Sequence, residues 1–380
     1  MKKSLTTFTI YAIAILAILF EQKLFAQKLH LITGSYTKEN KVGIHFITIN
    51  LANQNIQISP LDSSIANPSY LFYAKKEQIL YGVSEGRGKE KALAVSWKFN
   101  PKRATLSLIN TTYSGGDHPC HLFVDLKNKY LYTANYSGGN IGVIPILQKG
   151  KLGNIQQVIQ HKGAGLDTIY QRSPHAHQVI FKNQENQLVA TDLGTDEIKF
   201  YSINHKEVQP VSERNVETVK TTRGAGPRHV SFHPNQPIMY VLEELSGTLA
   251  VYEKLDQIWN LVQRFELYNK EEKGIKASAH IVINKNAKDL YCSNRGDNNT
   301  LAHFRIEPNG RVSRPTIYPL NYKWPRHFSL DASESFLAVA YQHSNFIELF
   351  KRDQSNGSLH PLNIQIKIPY PVFAEFIDLK

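Results

Sequence analysis

A pattern that recurs about every fifty residues is the feature that most restricts the fold of this chain. Each copy opens with a three-residue motif that ends in an aromatic residue or histidine, and short apolar runs separated by polar turns follow it. Six copies of the motif are visible: Pro68-Ser69-Tyr70, Pro119-Cys120-His121, His175-Ala176-His177, Pro227-Arg228-His229, Ser278-Ala279-His280 and Pro325-Arg326-His327. A unit of this length has room for four short strands and their turns, which is the size of one propeller blade.

The copy that begins at Pro119 indicates why these units are built from strands. The runs 121–125, 130–135 and 141–147 are rich in β-branched and aromatic residues, and Ser137-Gly138-Gly139-Asn140 supplies turn residues between two of them. The unit contains no window that combines helical periodicity with a helix cap. Each unit is therefore predicted to be a four-stranded antiparallel sheet.

The two ends of the chain supply the seventh unit. Residues 30–37 resemble a second strand and residues 43–50 a third, while Pro371-Val372-Phe373 resembles the missing first strand. We therefore predict an all-β fold, a seven-bladed β-propeller whose ring is closed when the C-terminal strand joins the N-terminal blade. The absence of a recurring Gly-His…Trp-Asp pair or Gly-Gly doublet argues against WD40 and kelch repeats.

The first residues are predicted to be a secretory signal peptide. Lys2 and Lys3 precede an apolar run over 8–20, and Ala26 is a small residue before Gln27. Residues 1–26 are thus assigned to the signal peptide and residues 27–380 to a single propeller domain, although an uncleaved anchor is the alternative. The protein is expected to be exported, either to a periplasm or out of the cell. Cys120 and Cys292 fall in different repeats and are expected to be two buried thiols.

The net charge of +12 comes from Lys and Arg that are scattered along the chain rather than clustered in runs. This distribution is typical of a solvated surface, and we expect no nucleic-acid partner and no membrane association once the signal peptide is removed. At most, the excess of positive charge favours a small anionic ligand. The sequence does not indicate an oligomeric state.

Propeller geometry predicts that two columns of residues surround one mouth of the central channel. The innermost strand begins there and its antiparallel neighbour ends there. The first column contains Val372, Ser69, Cys120, Ala176, Arg228, Ala279 and Arg326, and the second contains Tyr36, Glu85, Tyr136, Leu193, Glu244, Arg295 and Gln342. A position repeated for folding alone should hold similar residues, so the unlike charged members are candidates for function.

Histidine occupies the next position in five of the seven blades, namely His121, His177, His229, His280 and His327. Repetition favours a structural hydrogen bond in each blade. His177 is the expected exception, because His175 replaces the proline of the motif and makes a local His-x-His pair. Such a pair on a strand points both rings to one face, but no carboxylate recurs at ligand spacing, so we predict no metal site.

The common nucleophile and cofactor motifs are absent from the sequence. It contains no Gly-x-Ser-x-Gly, His-Glu-x-x-His, Gly-x-x-x-x-Gly-Lys or Cys-x-x-Cys. We therefore expect no cofactor, and the chemistry is left to acid–base groups and cations.

Several motifs together resemble those of one propeller family. They are Gly34-Ser35-Tyr36-Thr37, Asn135-Tyr136-Ser137-Gly138-Gly139, Pro174-His175-Ala176-His177, Asp192-Leu193-Gly194-Thr195-Asp196, Gly226-Pro227-Arg228-His229, Ser293-Asn294-Arg295-Gly296 and Trp324-Pro325-Arg326. The family is that of the seven-bladed propeller lactonases, which includes bacterial 6-phosphogluconolactonases and fungal carboxy-cis,cis-muconate cyclases. The resemblance covers nearly all of residues 29–380.

The resemblance implies an active site made of a histidine, two arginines and a glutamate. By motif these are His177, Arg228, Arg295 and Glu244, and His175, Arg326, Glu85, Tyr136 and Gln342 are expected to bind substrate. The expected reaction is hydrolysis of a sugar-type lactone, with Glu244 as general base and His177 protonating the leaving alkoxide. Either Arg228 or Arg295 is expected to stabilise the oxyanion, while the other binds an anionic substituent such as a carboxylate or phosphate. A non-catalytic binding module and a muconate-type cycloisomerase are the alternatives.

Overall fold

The computed structural model describes residues 28–37, 42–182, 185–269 and 274–379. The predicted signal peptide lies outside the described residues. The described part of the chain forms 28 strands, numbered β1 to β28 in chain order, in seven four-stranded antiparallel sheets. In that part, no helix has the length and hydrophobicity that a membrane span requires.

The seven sheets are the blades of the propeller. From the innermost strand outwards, blade 1 consists of β28 (Pro371–Phe376), β1 (Lys28–Ser35), β2 (Ile44–Asn50) and β3 (Asn55–Asp62). Blade 2 consists of β4 (Pro68–Ala74), β5 (Ile79–Ser84), β6 (Leu93–Asn100) and β7 (Thr105–Tyr113). Blade 3 consists of β8 (Pro119–Asp125), β9 (Tyr130–Asn135), β10 (Asn140–Pro145) and β11 (Gln157–Gln160), with a short 3-10 helix at Gln148–Gly150.

Blades 4 to 7 follow in the same order along the chain. Blade 4 consists of β12 (Ala176–Lys182), β13 (Gln187–Asp192), β14 (Glu197–Ser202) and β15 (Glu217–Lys220). Blade 5 consists of β16 (Pro227–Phe232), β17 (Ile238–Glu243), β18 (Thr248–Leu255) and β19 (Ile258–Glu266). Blade 6 consists of β20 (Lys276–Ile283), β21 (Asp289–Gly296), β22 (Thr300–Arg305) and β23 (Thr316–Pro319), and blade 7 of β24 (Pro325–Leu330), β25 (Phe336–Tyr341), β26 (Phe346–Arg352) and β27 (Leu359–Lys367).

Strand sequences follow from the position of each strand in its blade. The second strands, such as β5 and β25, are buried on both faces because a neighbouring blade covers each side, and they are near-continuous apolar runs. The outermost strand β7 has only exposed and half-buried residues, and it carries Thr, Ser and Asn between its apolar residues. The prediction of four strands per repeat is therefore confirmed.

The ring is closed by β28, as the sequence predicts. This strand pairs antiparallel with β1, where Ala374 lies opposite Thr33. The innermost strands β28, β4, β8, β12, β16, β20 and β24 each contact the next one around the ring, and β24 contacts β28. The prediction of a seven-bladed propeller closed by the chain termini is confirmed.

Seven hydrophobic clusters hold the ring together, one between each pair of adjacent blades. The cluster between blades 7 and 1 includes Leu31, Ala338 and Ala374, so the join between the termini has a core like the other interfaces. Cys120 and Cys292 are buried and form no disulfide, as predicted.

Tyrosines on second strands add hydrogen bonds between neighbouring blades. The Tyr240 hydroxyl of blade 5 donates to the carbonyl of Gly310 in blade 6 at 2.6 Å, and the Tyr291 hydroxyl of blade 6 donates to that of Gly357 in blade 7 at 2.6 Å. Both rings are fully buried. Each hydroxyl thus finds a partner while its ring fills the interface.

Candidate active site

A β-bulge at the start of most innermost strands builds the channel mouth. In β16, Pro227 lies opposite Glu243 and His229 opposite Leu242, so Arg228 is the extra residue of the bulge. The same two-against-one register occurs at Ser69, Cys120 and Arg326. A bulge bends its strand and redirects the extra side chain.

The second column is fixed by a backbone hydrogen bond that recurs around the ring. The N–H of Glu244 donates to the carbonyl of Gly226 at 2.7 Å, and that of Glu85 donates to Asn67 at 3.0 Å. Gly226 and Asn67 have φ angles of +65° and +48°, and His118, Trp324 and Tyr370 adopt the same left-handed conformation before their strands. A side chain at Gly226 would also collide with Leu245. The two columns are therefore held side by side by the backbone.

The register of blade 4 corrects the sequence-based alignment of His177. Ala176 lies opposite Asp192 and Gln178 opposite Thr191, so His177 is the bulge residue of β12. His177 thus belongs to the first mouth column, where the sequence alignment had put Ala176, and Gln178 takes the place assigned to a histidine. The physical reason is that β12 begins two residues after Pro174, whereas in the other motifs that contain a proline the strand begins at the proline itself.

Arg228, Glu244 and Arg295 form one ion-pair cluster across blades 5 and 6. Arg228 Nε lies 2.8 Å from Glu244 Oε2, and Arg295 Nη2 lies 2.9 Å from Glu244 Oε1. The side chains of both arginines are almost fully buried, whereas 19% of the Glu244 side chain is exposed. Burial, and then the charge of Arg295, lower the pKa of Arg228, but a guanidinium keeps its proton at neutral pH. The carboxylate is therefore held between two cations and still reaches the channel.

Neighbouring groups fix the direction of both guanidinium planes. Arg295 Nε donates to the carbonyl of Ala277 at 2.8 Å, and its guanidinium lies 5.2 Å from the ring centre of Trp324. Arg228 Nη1 donates to the carbonyl of Ala279. These contacts occupy part of each fork and hold both guanidinium groups beside Glu244.

His177 is an uncharged imidazole beside this cluster. Burial, followed by the charge of Arg228 and then Arg326, holds the pKa of His177 well below its ordinary value of 6.5. Its ring lies edge-on to Tyr136, with centroids 5.8 Å apart, and Nδ1 has no hydrogen-bond partner in the described residues. The role of His177 as proton donor to the leaving alkoxide stays a prediction, and the lowered pKa means that the resting imidazole is uncharged at neutral pH.

His175 and Tyr136 form a stacked pair next to His177. Their ring centroids are 4.4 Å apart and nearly parallel, and His175 Nδ1 donates to the Tyr136 carbonyl at 2.9 Å. The carboxylate of Asp192 accepts the backbone N–H of His175 at 2.8 Å and contacts His161 Nδ1 at 2.6 Å. This buried network positions the segment that leads into His177.

A second carboxylate cluster lies across the channel, on blades 7, 1 and 2. The Tyr36 hydroxyl donates to Glu85 Oε2 at 2.9 Å, and Arg326 Nη2 lies 3.7 Å from the same oxygen. The Arg326 guanidinium also lies 5.5 Å from the ring centre of Tyr36. Gln342, next along the second column, is buried with its Oε1 unpaired in the described residues.

Below the mouth, a layer of side chains, most of them aromatic or imidazole rings, lies in the channel. Its members are Phe373, Tyr70, His121, Gln178, His229, His280 and His327, one from each blade. Ring contacts join Tyr70 to His121 at 4.1 Å, and His280 to His327 at 4.1 Å. The hydrogen bonds of these histidines differ from blade to blade: His327 Nδ1 lies 3.0 Å from the carbonyl oxygen of Ala374, whereas His121 Nδ1 has no partner in the described residues. Packing of ring against ring is what the histidines share.

One hydrogen-bonded chain links the mouth to this layer. Arg228 Nη1 lies 3.0 Å from His229 Nε2, and His229 Nδ1 lies 3.2 Å from His280 Nδ1. Arginine can only donate, so His229 accepts at Nε2 and donates from Nδ1 to His280. Burial lowers the pKa of both histidines well below 6.5, in agreement with neutral rings.

The structure thus brings the four residues His177, Arg228, Glu244 and Arg295 to one side of the mouth. Of the expected substrate-binding residues, His175 and Tyr136 lie beside them, while Glu85 and Arg326 lie opposite. Sequence reasoning did not select Tyr36 or Trp324 as site residues, although each belongs to a recognised motif. No group of three or more His, Cys, Asp or Glu residues that could hold a metal ion occurs in the described ranges.

The match to a known family covers almost the whole propeller. The family model described as “Lactonase, 7-bladed beta-propeller” matches residues 30–376. The chain belongs to this family. The predicted membership in a lactonase family of enzymes is therefore confirmed, and the roles of individual residues stay predictions.

Relatives of similar length carry related names. The chain is 31% identical to a 6-phosphogluconolactonase of Formosa agariphila over 87% of its own length and 94% of the relative's. It is 27% identical to a 6-phosphogluconolactonase of Bacillus subtilis over 90% of its own length and 97% of the relative's. The solved periplasmic gluconolactonase of Pseudomonas aeruginosa superposes with a TM-score of 0.85 at 27% identity, covering 93% of this chain and all of that one.

Proposed function

We propose that this protein hydrolyses a sugar-type lactone at the channel mouth, where Glu244 lies between Arg228 and Arg295. The contact of one carboxylate with two buried guanidinium groups carries this proposal. Hydrolysis of an ester carbonyl needs a group that takes a proton from water and cations that stabilise the oxyanion, and this cluster contains both. The names of the Formosa, Bacillus and Pseudomonas relatives support a lactone as the substrate.

Glu244 is the proposed general base. A carboxylate has two oxygens with two acceptor sites each, so an ion pair at each oxygen leaves room for a water molecule. Glu244 is also the most accessible member of its cluster. Water attacks the lactone carbonyl carbon as its proton passes to Glu244.

Arg228 and Arg295 are the proposed oxyanion donors. Both side chains are almost fully buried, and each guanidinium group donates a hydrogen bond to a backbone carbonyl. Preorganised donors in a site with little water stabilise developing charge strongly, because they need no rearrangement during the reaction.

Cleavage of the ring C–O bond then requires a proton on the leaving oxygen. The protonated Glu244 returns the proton that it took from water, and the neutral imidazole of His177 donates a hydrogen bond to that oxygen. The product is a hydroxy acid, which releases a proton at neutral pH. This role suits an uncharged His177.

A lactone panel tests the proposal. The purified protein is incubated with gluconolactone, 6-phosphogluconolactone and a neutral γ-lactone while acid release is followed in a pH-stat. Glu244→Gln serves as the inactive variant, and Glu253→Gln, at a partly exposed ion pair with Arg311, as the matched control. Acid release that vanishes only in Glu244→Gln supports a lactonase. If the folded protein releases no acid from any of the lactones, this result contradicts a lactonase and favours a cycloisomerase or a binding module.

We also propose that the protein acts outside the cytoplasm. The basic and apolar pattern of residues 1–26 supports export, and the Pseudomonas relative is a periplasmic gluconolactonase. Cell fractionation with detection of a C-terminal epitope tests this. Recovery of the full-length chain in the cytoplasm alone would contradict it.

A further inference from the structure

The mouth contains two carboxylate clusters that face the same space. One is the cluster of Glu244, and the other consists of Tyr36, Glu85 and Arg326. The second cluster is therefore placed to contact the part of a substrate that does not react.

The charges of the two mouth columns nearly cancel. Their guanidinium groups belong to Arg228, Arg295 and Arg326, and each one contacts a carboxylate of the same columns. His177 is neutral. One positive charge remains, which matches the single negative charge that develops on an oxyanion. A phosphate monoester would bring about two further negative charges at neutral pH, more than the one positive charge that remains in these columns.

Glu85 offers a hydrogen-bond acceptor to the channel. Its Oε2 is taken by Tyr36 and Arg326, while its Oε1 has no partner in the described residues. About a sixth of the side chain is exposed (16%). An ionised carboxylate only accepts hydrogen bonds, so it pairs with hydroxyl groups and repels a phosphate, which offers acceptors alone.

We propose that Tyr36, Glu85 and Arg326 form a hydroxyl-binding subsite that selects uncharged polyhydroxy lactones over phosphorylated ones. Glu85 accepts a substrate hydroxyl, Arg326 donates to a substrate oxygen, and Tyr36 holds Glu85 in place through its own hydroxyl. This inference rests on the proposed lactonase function and names its substrate class. It also reverses the sequence-based expectation that the positive charge of the chain favours an anionic ligand.

The test compares kcat/KM for gluconolactone and 6-phosphogluconolactone in the wild type and in Glu85→Gln. The wild type is expected to prefer gluconolactone by about tenfold or more. Glu85→Gln keeps the shape but removes the charge, so the preference should shift by about tenfold towards the phosphorylated lactone, a change of about 1.4 kcal/mol. A wild type that prefers 6-phosphogluconolactone, or a ratio that Glu85→Gln leaves unchanged, overturns the inference.

Two further measurements keep the test decisive. Tyr36→Phe should lower kcat/KM for gluconolactone several-fold by raising KM, because the hydroxyl that orients Glu85 is lost. If Glu85→Gln does not fold, inorganic phosphate serves as a probe of the wild type: it should not compete with gluconolactone, and competitive inhibition overturns the inference. If the wild type hydrolyses neither lactone, the result instead contradicts the proposed function itself.

Discussion

Arg228 Nε lies 2.8 Å from Oε2 of Glu244, and the two residues come from the beginning of one strand and the end of its antiparallel neighbour. The backbone fixes this pair as well, because the Glu244 N–H donates to the carbonyl of Gly226, two residues before Arg228. The pair is therefore assembled by the fold before any substrate binds. Substitutions that keep the shape of these side chains should affect rate more than stability.

Glu244→Gln should lower kcat for lactone hydrolysis by a factor of about 10² to 10⁴, the usual contribution of a general base. The amide keeps the shape of the side chain but cannot take a proton from water. The measurement is a pH-stat rate together with a thermal unfolding curve. Glu253→Gln, which alters a partly exposed ion pair, should retain wild-type rate, and near-normal turnover by Glu244→Gln would remove it from the base role.

Arg295→Lys should lower kcat by a factor of about 10² to 10³, the cost of removing one oxyanion donor. Lysine keeps the charge but loses the fork that contacts both Glu244 and Ala277, and it loses the stack against Trp324. The control is Arg311→Lys, at the surface pair with Glu253. Equal rates for the two variants would show that only charge, and not geometry, matters at position 295.

The stability of the propeller should fall as pH drops from 7 towards 4. Burial lowers the pKa of His121 and of His327 from 6.5 to about 3. Below pH 6.5 the unfolded chain therefore binds protons that the folded chain does not, and each proton favours unfolding. Each of these histidines should cost up to about 2 kcal/mol in the free energy of unfolding between pH 7 and pH 5.

His121→Gln tests this pH dependence, because Gln178 occupies the same layer in blade 4. The difference in urea unfolding free energy between pH 7 and pH 5 should shrink by up to about 2 kcal/mol in this variant. His360→Gln, at an exposed position, should leave the difference unchanged. If His121→Gln leaves it unchanged as well, the layer does not remain neutral at pH 5.

The repeat was enough to predict the blades, the closure of the ring and the two mouth columns. Repetition reveals these features because each blade packs between two neighbouring blades and is built from the same short strands. The position of His177 was missed because a single-residue shift in register leaves the sequence motif nearly intact. His175 and His177 flank Ala176 on either side, and only the pairing of Ala176 with Asp192 decides between the two registers.

Contacts between residues of different blades could not be predicted from the sequence. Tyr36 contacts Glu85 and Arg326, and Trp324 contacts Arg295, only because the ring brings blades 6, 7, 1 and 2 together around one channel. The neutral state of His177 was also hidden, since it depends on burial and on arginines from three other blades. Residue types predicted the charged groups of the mouth, and the closed ring determined which of them touch.

Phe373→Ala should destabilise the protein by about 3–5 kcal/mol, the usual cost of removing a buried phenylalanine side chain. Phe373 is 2% exposed in β28, and its ring contacts Tyr70 at 5.0 Å and His327 at 4.4 Å. It therefore packs against blades 2 and 7 from the strand that closes the ring. Urea unfolding followed by tryptophan fluorescence measures the loss.

Leu147→Ala, which truncates a side chain that is 49% exposed, is the matched control and should change stability by less than about 0.5 kcal/mol. Closure of the ring by β28 predicts a wider effect than the loss of one buried side chain. Because β28 is the last strand of the chain and pairs with the first, loosening it should expose an edge of β1 and of its neighbours together. A loss below about 1 kcal/mol for Phe373→Ala, about the average for any point substitution, would mean that the packing of Phe373 contributes little to the closure of the ring.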